Sequence, residues 1–534
     1  MGVGAQGPRS LRVLLAAVTL LAAGCTTPPG PDDGPVVGPS EGATPRTSLR
    51  LATSLPTSLD PRELNSADGL QLAAQLFDGL VDYDPTTYEA IPAAAERWDV
   101  EEGGSRFVFH LRTGMTFHDG SPVRAQDFVF AWNRLADPLA AAPYAFLLET
   151  VEGFDRYQQQ VRVTRVSGVV ARDDRTLEVT LVRPWRDFVS LLGHPALSPV
   201  PPAAGGGSFA SQPVGNGPFR LAGSISPGTP LLLERFEGYI GTPPLVPTLE
   251  YVTFDVPSEA WPEFLAGELD VAPIPPALLA EAESSYGEHG IIELARLLYC
   301  GFDEEDPRFD DPALRRAVSL AIGRDVVAAD VYGGAAIPAT GILPPSLPGY
   351  RPDACVGRCV RDLEAAQALV ADLPRASRTF SLDYPASPLA DRLARTLVAQ
   401  LQEAGLTVTP RARNPIGFQD VLEDGGQDMF CLVWMADYPR PQALLEPLVE
   451  SGSADNHANV SDRDLNVLLE RGRAEANFEI RNEIYAEAER LVLERMHVIP
   501  VVWFRSHLAV RPGVEGFVVD PLGRYDAATL RFGA

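Results

Sequence analysis

The feature that most constrains the fold is a regular alternation of short strands and amphipathic helices from Leu49 onward. Apolar residues recur at every second position in RFVFHLR from Arg106, and at three- and four-residue intervals in PLADRLARTLVAQLQEAG from Pro388. The first period is typical of a half-buried strand and the second of an amphipathic helix. Helix–strand alternation over several hundred residues predicts α/β lobes, and it argues against a β-sandwich or a helical bundle.

One helix is predicted to be long. The segment DPALRRAVSLAIGRDVVAADVYGG, from Asp311, carries its apolar residues at helical spacing, and Gly333 and Gly334 provide a C-cap. The whole chain has 534 residues, which is too many for one hydrophobic core. Two or more domains are therefore expected.

Charge and motif content exclude several functions. The formal net charge is −27, so long-range electrostatics disfavours a nucleic-acid partner. The seven His residues occur singly, without metal-binding spacing, and we expect neither a metal centre nor a cofactor. The one G-x-S-x-G match, GPSEG from Gly38, lies in a Pro/Gly-rich stretch and not between a strand and a helix, and no His lies in a nucleophile context, so an exported hydrolase is a distant alternative to a protein that is not an enzyme.

The N-terminus predicts export. Arg9 and Arg12 precede an apolar run, Val13 to Ala23, which is too short to span a bilayer comfortably but suits a secretory signal. The run ends in LAAGC, which resembles the lipobox of bacterial lipoproteins, and this resemblance implies lipidation of Cys25. The alternative is a plain signal peptide with an incidental Cys. Residues 26–46 are rich in Pro, Gly and Asp and predict a disordered tether.

Four further cysteines are Cys300, Cys355, Cys359 and Cys431, an even number in an exported chain. Three disulfide connectivities are possible. Cys355 and Cys359 are close enough in CVGRC to close a small loop, and a zinc site is a weak rival because no His is nearby.

The segment CLVWMADYPRP, from Cys431, places a carboxylate directly after an apolar run. The run predicts a mostly buried strand, and Pro439 and Pro441 predict a turn that contains Asp437. These residues alone leave two interpretations open. Asp437 either begins the turn or forms a structural ion pair, or it is a fixed negative charge for a cationic ligand group.

Several segments, taken in order, resemble one protein family. They are LDPRELNSADGLQLAAQLFDGLVDYD from Leu59, FVFHLRTGMTFHDGSPVRAQDFVFAWNRLADP from Phe107, VGNGPFRL from Val214, FDDPALRRAVSLAIGRD from Phe309, VWMADYPRP from Val433, and VRPGVEGFVVDPLGRYD from Val510. Together they resemble the extracytoplasmic solute-binding proteins of peptide ABC transporters, the oligopeptide- and dipeptide-binding group. The resemblance extends over nearly all of the chain after the tether.

The resemblance implies an α/β, two-lobed fold of the type II periplasmic binding proteins, with an extra subdomain inserted in the first lobe. The two lobes of such proteins close on their ligand about a hinge. The implied segments are the lipoprotein signal peptide 1–25, the tether 26–46, first-lobe pieces 47–84, 183–296 and 506–534, the inserted subdomain 85–182, and the second lobe 297–505.

The resemblance also implies a ligand site between the lobes. An extended peptide pairs its backbone with strands there, and the Asp of the ADY motif, here Asp437, binds the α-ammonium group. The other implied ligand neighbours are Trp434 as a pocket wall, Tyr144, Tyr299, and the loop of Asn65, Ser66 and Ala67. For each aromatic residue the alternative is an ordinary core position.

Some positions depart from the family pattern. Two Arg positions that hold the ligand's carboxylate in some members are Cys431 and Leu422 here, and Pro275 offers no N–H where an Asn pairs with ligand backbone. The residues that hold the far end of the ligand are therefore unassigned. Members can carry a disulfide between the two strands on which Cys300 and Cys431 fall, so the resemblance implies that pair, alongside Cys355–Cys359.

The implied function is that of a lipid-anchored receptor on the outer face of the bacterial cell membrane. It would be a monomer that captures peptides and delivers them to ABC permease subunits, with the ATPase involved indirectly. Two alternatives keep the same fold, a receptor for a nickel complex, sugar or opine, and a peptide-sensing signalling receptor.

Overall fold

The computed structural model describes residues 47–159, 163–287 and 290–533. The signal peptide, the tether and Cys25 lie outside these residues. The chain from Thr47 onward forms one compact unit. Within the described residues, no helix combines the length and the apolar character that a membrane span requires.

The strands of the described residues are short, and most belong to three sheets. In chain order they are β1 Ser48–Thr53, β2 Val81–Tyr83, β3 Ala90–Pro92, β4 Ala95–Glu101, β5 Arg106–Leu111, β6 Val169–Asp173, β7 Thr176–Thr180, β8 Phe219–Ala222, β9 Leu231–Arg235, β10 Thr248–Thr253, β11 Val271–Pro273, β12 Glu293–Phe302, β13 Ala336–Pro338, β14 Thr379–Pro385, β15 Thr407–Arg413, β16 Met429–Met435, β17 Ile499–Arg505, β18 Leu508–Val510, β19 Val514–Glu515 and β20 Arg531–Phe532.

The α-helices cover the faces of these sheets and connect their strands. In chain order they are α1 Ala67–Leu76, α2 Ala125–Leu135, α3 Phe154–Gln158, α4 Ala260–Ala266, α5 Leu279–Tyr286, α6 Pro312–Ala321, α7 Arg324–Val326, α8 Leu363–Asp372, α9 Pro388–Glu403, α10 Phe418–Glu423, α11 Pro441–Val449, α12 Arg463–Ala474 and α13 Phe478–Arg495.

The first six-stranded sheet has the order β18-β11-β1-β10-β9-β8. Strand β1 runs parallel to β10, and the alternation in SLRLAT buries Leu49 and Leu51 completely while their neighbours stay partly exposed. We call the part of the chain built on this sheet the first lobe. A four-stranded antiparallel sheet, β4-β5-β7-β6, is inserted between β3 and β8 and packs against α2.

The second six-stranded sheet has the order β13-β17-β12-β16-β14-β15, and we call the part built on it the second lobe. The chain passes between the two sheets twice, between β11 and β12 and between β17 and β18. The two crossing segments lie side by side, because the N–H of Ser506 donates to the carbonyl of Ile292 (2.8 Å) and the N–H of Leu508 to that of Gly290 (3.2 Å). Such paired crossings are the usual site of a hinge.

The predicted long helix from Asp311 is wrong, because it is two elements. Helix α6 ends at Ala321, and a new start at Arg324 continues through a π-helical turn to Val331. Buried Arg324 donates to the carbonyls of Ser319 (2.9 Å) and Ile322 (3.5 Å), which a continuous helix would bind internally, and also to that of Pro500 (2.7 Å) in β17. The glycine stop is confirmed, since Gly333 and Gly334 have φ of 59° and 85°.

Both disulfides expected from the sequence are present among the described residues. Cys300 of β12 and Cys431 of β16 are direct partners in the antiparallel ladder, with their Cα atoms 4.1 Å apart. Cys355 and Cys359 close the small loop. The first bond therefore fixes the register of the two strands that lead to the Asp437 turn.

Candidate functional site

Asp437 lies in the turn between β16 and α11, as the apolar run before it predicts. The turn is hydrogen-bonded on both sides of this residue. The N–H of Ala436 donates to the carbonyl of Ala295 (2.9 Å), and the N–H of Arg440 to that of Tyr438 (2.8 Å). The backbone that carries the carboxylate is thus held against β12 on one side and against the start of α11 on the other.

The carboxylate of Asp437 is partly buried, and it has no hydrogen bond or ion pair among the described residues. Burial, together with the smaller effect of the nearby charge of Asp455, raises the pKa of Asp437 to about 7. Burial also raises the pKa of Asp455, which likewise forms no ion pair within the described ranges. A partly desolvated carboxylate with a second acid beside it favours a cation as its missing partner.

Strand β16 leaves one of its edges open beside this turn. Strand β14 pairs with β16 only through Met429 and Phe430, so residues 431–435 have no strand on that side among the described residues. On the other side β16 pairs with β12 along its full length. An open edge presents unpaired N–H and C=O groups to which an extended chain can bind.

Trp434 precedes the turn, and its indole N–H donates to the carbonyl of Ala443 in α11 (2.9 Å). Its ring is therefore fixed rather than free to rotate, and it is partly exposed. The neighbours Val433 and Met435 are 40% and 38% exposed, on the opposite face of the strand. Trp434 has the position and rigidity of a pocket wall.

Tyr144 lies close to Asp437, although 293 residues separate them in sequence. Burial raises the pKa of Tyr144, the charge of Asp437 raises it further, and the charge of Arg524 opposes this increase. The ring of Tyr144 packs on His194 with centroids 4.5 Å apart. Burial lowers the pKa of His194 to about 3, so this imidazole is neutral at physiological pH and adds no positive charge near Asp437.

Tyr299 and the Asn65 loop are placed differently from Tyr144. Tyr299 is only 2% exposed and packs edge-on against Phe430 inside the second lobe, with ring centroids 5.9 Å apart. Asn65, Ser66 and Ala67 are exposed on the first lobe, where Ser66 caps helix α1 by accepting a hydrogen bond from the N–H of Gly69 (3.1 Å). The structure therefore brings Tyr144 and Trp434 toward Asp437 and leaves the other four residues apart from it, and a ligand role for each of them stays a prediction.

Sequence reasoning missed three residues around the site. Asp455 lies in the loop after α11, a segment without a recognisable pattern. Arg524 lies in the closing motif, which was recognised without a role for this residue, and its Nε donates to Asp520 (3.2 Å). Asp187 contacts the Asp437 turn through Arg440, and no motif in the sequence around Asp187 predicts this contact.

The site combines several groups that can bind a ligand. Within residues 47–159, 163–287 and 290–533, no group of three or more His, Cys, Asp or Glu residues is arranged to hold a metal ion. The site offers a carboxylate for a cation, an open strand edge for an extended backbone and two aromatic walls. This set suits a ligand with an amine at one end and a peptide-like backbone behind it.

Comparison with known proteins identifies relatives along almost the whole chain. The family model described as "Bacterial extracellular solute-binding proteins, family 5 Middle" matches residues 89–456. The chain is 30% identical over 479 residues to the probable deoxycholate-binding periplasmic protein YgiS of Escherichia coli, covering 86% of this chain and 89% of that protein. It is also 30% identical over 499 residues to the periplasmic oligopeptide-binding protein OppA of Salmonella typhimurium, covering 89% and 91%.

A solved structure with the same fold is that of Haemophilus influenzae OppA in complex with the peptide RPPGFSPFR. Its TM-score is 0.69 at 25% sequence identity, and the superposition covers 92% of this chain and all of that one. The shared fold therefore includes both lobes and the inserted sheet.

Proposed function

The chain belongs to the bacterial extracellular solute-binding proteins of family 5 and has their two-lobed α/β fold, type II of the periplasmic binding proteins; we propose that it captures extended peptides by their α-ammonium group. The observation that carries this proposal is the carboxylate of Asp437, partly buried and without a partner, at the end of a strand with an open edge. A charge-assisted hydrogen bond to such a carboxylate contributes roughly 1.5–3 kcal/mol.

The peptide backbone would bind along residues 431–435 of β16. Starting from an ammonium group at Asp437, the ligand would run back along the open edge, with Trp434 and Tyr144 beside its first side chains. Relatives named as oligopeptide-binding and dipeptide-binding proteins support this assignment. Tyr299 and the loop of Asn65, Ser66 and Ala67 are further proposed contacts, which closure of the lobes would bring to the ligand.

We further propose that Cys25 anchors the chain by lipid to the outer face of the cell membrane, and that the monomer delivers its ligand to an ABC permease. The lipobox-like LAAGC and the ABC-importer relatives support this. From the resemblance to the family we also propose the boundaries of the domains. The first lobe comprises residues 47–84, 183–296 and 506–534, the inserted subdomain residues 85–182, and the second lobe residues 297–505. The proposed tether, residues 26–46, would separate the folded part of the chain from the membrane surface.

The test is a binding measurement with three ligands. Trialanine, N-acetyl-trialanine and deoxycholate are titrated into the unmodified protein and into Asp437→Asn, with calorimetry for affinity and thermal unfolding as a second readout. Trialanine at 100 times its Kd should stabilise the unmodified protein by about 2.7 kcal/mol through mass action. N-acetylation and Asp437→Asn should each weaken binding by about tenfold or more.

Equal affinity for trialanine and N-acetyl-trialanine would refute the role of Asp437. Deoxycholate tests a second candidate function, since one relative is named as its probable binding protein. The ligand is an anion without an amine, so an unpaired, partly buried carboxylate disfavours it. Binding of deoxycholate alone would replace peptide capture as the function.

A further inference from the structure

A buried ionic cluster lies next to the Asp437 turn, and neither the family motifs nor the peptide proposal assigns it a role. It consists of Asp187, Ser190, Arg440 and Arg481, each at most 6% exposed, and we call it the Asp187 cluster. The carboxylate of Asp187 accepts three hydrogen bonds, from the Ser190 hydroxyl (2.8 Å), from Nε of Arg440 (3.1 Å) and from Nη2 of Arg481 (2.9 Å). Both guanidinium groups also lie over the ring of Phe478, at 5.2 and 5.7 Å.

The members of the cluster come from distant parts of the chain. Asp187 follows the inserted sheet and directly precedes the short helix Phe188–Gly193. Arg440 ends the turn that carries Asp437 and precedes α11, while Arg481 lies on α13. The Asp187 cluster therefore ties a segment outside the second lobe to the residue that closes the Asp437 turn.

Neighbouring contacts strengthen the same attachment. The indole N–H of Trp185 donates to Oε1 of Gln442 (2.9 Å), two residues after Arg440, and both side chains are buried. Arg440 itself donates through Nη1 to the carbonyl of Pro439 (2.9 Å), inside the turn. The segment around Asp187 therefore contacts Arg440, the last residue of the turn, and Gln442 at the start of α11.

Asp437 has no partner that would orient its own carboxylate in the described residues, so its direction depends on the backbone of the turn. We propose that Asp187 is a positioning residue for ligand-amine binding: through Arg440 it holds the turn in the conformation that aims Asp437 at the ligand's ammonium group. The inference rests on the proposed function, because it presumes that Asp437 binds the amine. On this proposal Asp187, which lies outside the second lobe, orients Asp437, which lies within it.

The physical reason is the cost of releasing a buried guanidinium. Arg440 is 2% exposed, and its one carboxylate contact within the described residues is Asp187. Removal of the Asp187 charge leaves a desolvated cation that must find water or another acceptor. The shortest route is a movement of residues 438–440, which would also move Asp437.

The test uses the amine preference, defined as the Kd of N-acetyl-trialanine divided by the Kd of trialanine. For the unmodified protein we expect a value of about ten or more. For Asp187→Asn we expect at least a threefold fall in this ratio, caused by weaker trialanine binding at unchanged Kd for the acetylated peptide. A general loss of structure would weaken both ligands alike and leave the ratio unchanged.

The matched control is Arg183→Gln, which breaks the Arg183–Glu450 ion pair (2.9 Å). This pair ties the same segment to the second lobe without touching the Asp437 turn, and the amine preference should stay at the unmodified value. Ser190→Ala removes one donor to Asp187 and should give an intermediate ratio. If Asp187→Asn does not fold, Arg440→Lys keeps the charge, loses the Nε contact and should lower the ratio in the same way.

The outcomes separate this inference from the proposed function. An unmodified protein with an amine preference near one overturns the role of Asp437 and the positioning role with it. A clear preference in the unmodified protein that persists in the folded cluster variants overturns the positioning role alone. A fall in the Arg183→Gln control equal to that in Asp187→Asn also overturns it, because the effect would then belong to the segment and not to the Asp187–Arg440 contact.

Discussion

Affinity for a peptide with a free α-amino group should follow a bell-shaped pH profile, because both partners of the proposed pair titrate near neutrality. Burial, together with a smaller effect of Asp455, raises the pKa of Asp437 to about 7. The α-amino group of a peptide has a pKa of about 7.7–8.0. Only the ionised carboxylate and the protonated amine form the pair, so binding should be strongest at about pH 7.4, midway between these values.

The magnitude follows from the two ionised fractions. Relative to pH 7.4, the doubly ionised fraction falls by about sixfold at pH 6, about fiftyfold at pH 5 and about eightfold at pH 9, and the affinity for trialanine should fall with it until it reaches the affinity that remains without the pair. Binding at pH 6 should release about 0.9 proton from Asp437, whereas binding at pH 9 should take up about 0.9 proton at the amine. His194 adds no titration in this range, since burial holds its pKa near 3.

The assay is calorimetric titration at pH 5, 6, 7.4 and 9, repeated in buffers of different ionisation enthalpy to count protons. N-acetyl-trialanine should lack the alkaline decline, and Asp437→Asn should lack the acid decline. A flat affinity for trialanine between pH 5 and 7.4 would refute the reasoning. So would an acid decline that persists unchanged in Asp437→Asn, since the titrating group would then be a different one.

Three further outcomes are expected. Asp437→Asn should raise the melting temperature of the unliganded protein at pH 8, because the pKa of Asp437 is higher in the folded than in the unfolded state and folding therefore disfavours its ionisation. The gain in melting temperature should shrink as the pH falls from about 7 to about 4. A gain that does not depend on pH would contradict this. Paired serine substitution of Cys300 and Cys431, 131 residues apart, should lower the free energy of unfolding in chemical denaturation by about 2–5 kcal/mol. The same change at Cys355 and Cys359, only four residues apart, should cost less, and a larger cost there would show that loop length does not govern the effect. Cys25→Ser should abolish fatty-acid labelling and move the protein from the membrane to the soluble fraction, whereas continued membrane association would exclude the lipid anchor.

Local patterns predicted the elements that depend on local periodicity. Helix α9, Pro388–Glu403, and the strand β5, Arg106–Leu111, lie where the spacing of apolar residues puts them. The position of Asp437 in a turn after a strand was also encoded locally, by the apolar run before it and the prolines after it, whereas the predicted burial of that strand holds only for residues 429–431. Gly333 and Gly334 stopped their helix as expected, since positive φ is costly for other residues.

Contacts between distant residues decided the rest. The helix from Asp311 ends at Ala321, and Arg324 after this break binds the carbonyl of Pro500, 176 residues away, an interaction that no local window contains. Asp187 likewise meets Arg440 across 253 residues. In each case a buried charged side chain binds a partner that is close in the fold but distant in sequence. The residues next to it in sequence therefore do not predict that partner.

The sequence by itself determined the α/β class and the identity of the carboxylate that the ligand amine is proposed to meet, and it carries the predicted export signal. Only the tertiary structure decided the properties that would make this carboxylate useful. Its raised pKa comes from burial and from Asp455, its lack of a partner from the folded surroundings, and the open edge of β16 from a neighbouring strand that pairs only at residues 429 and 430. Residue type fixes what a side chain can do, whereas desolvation and pairing depend on atoms that folding brings from elsewhere in the chain.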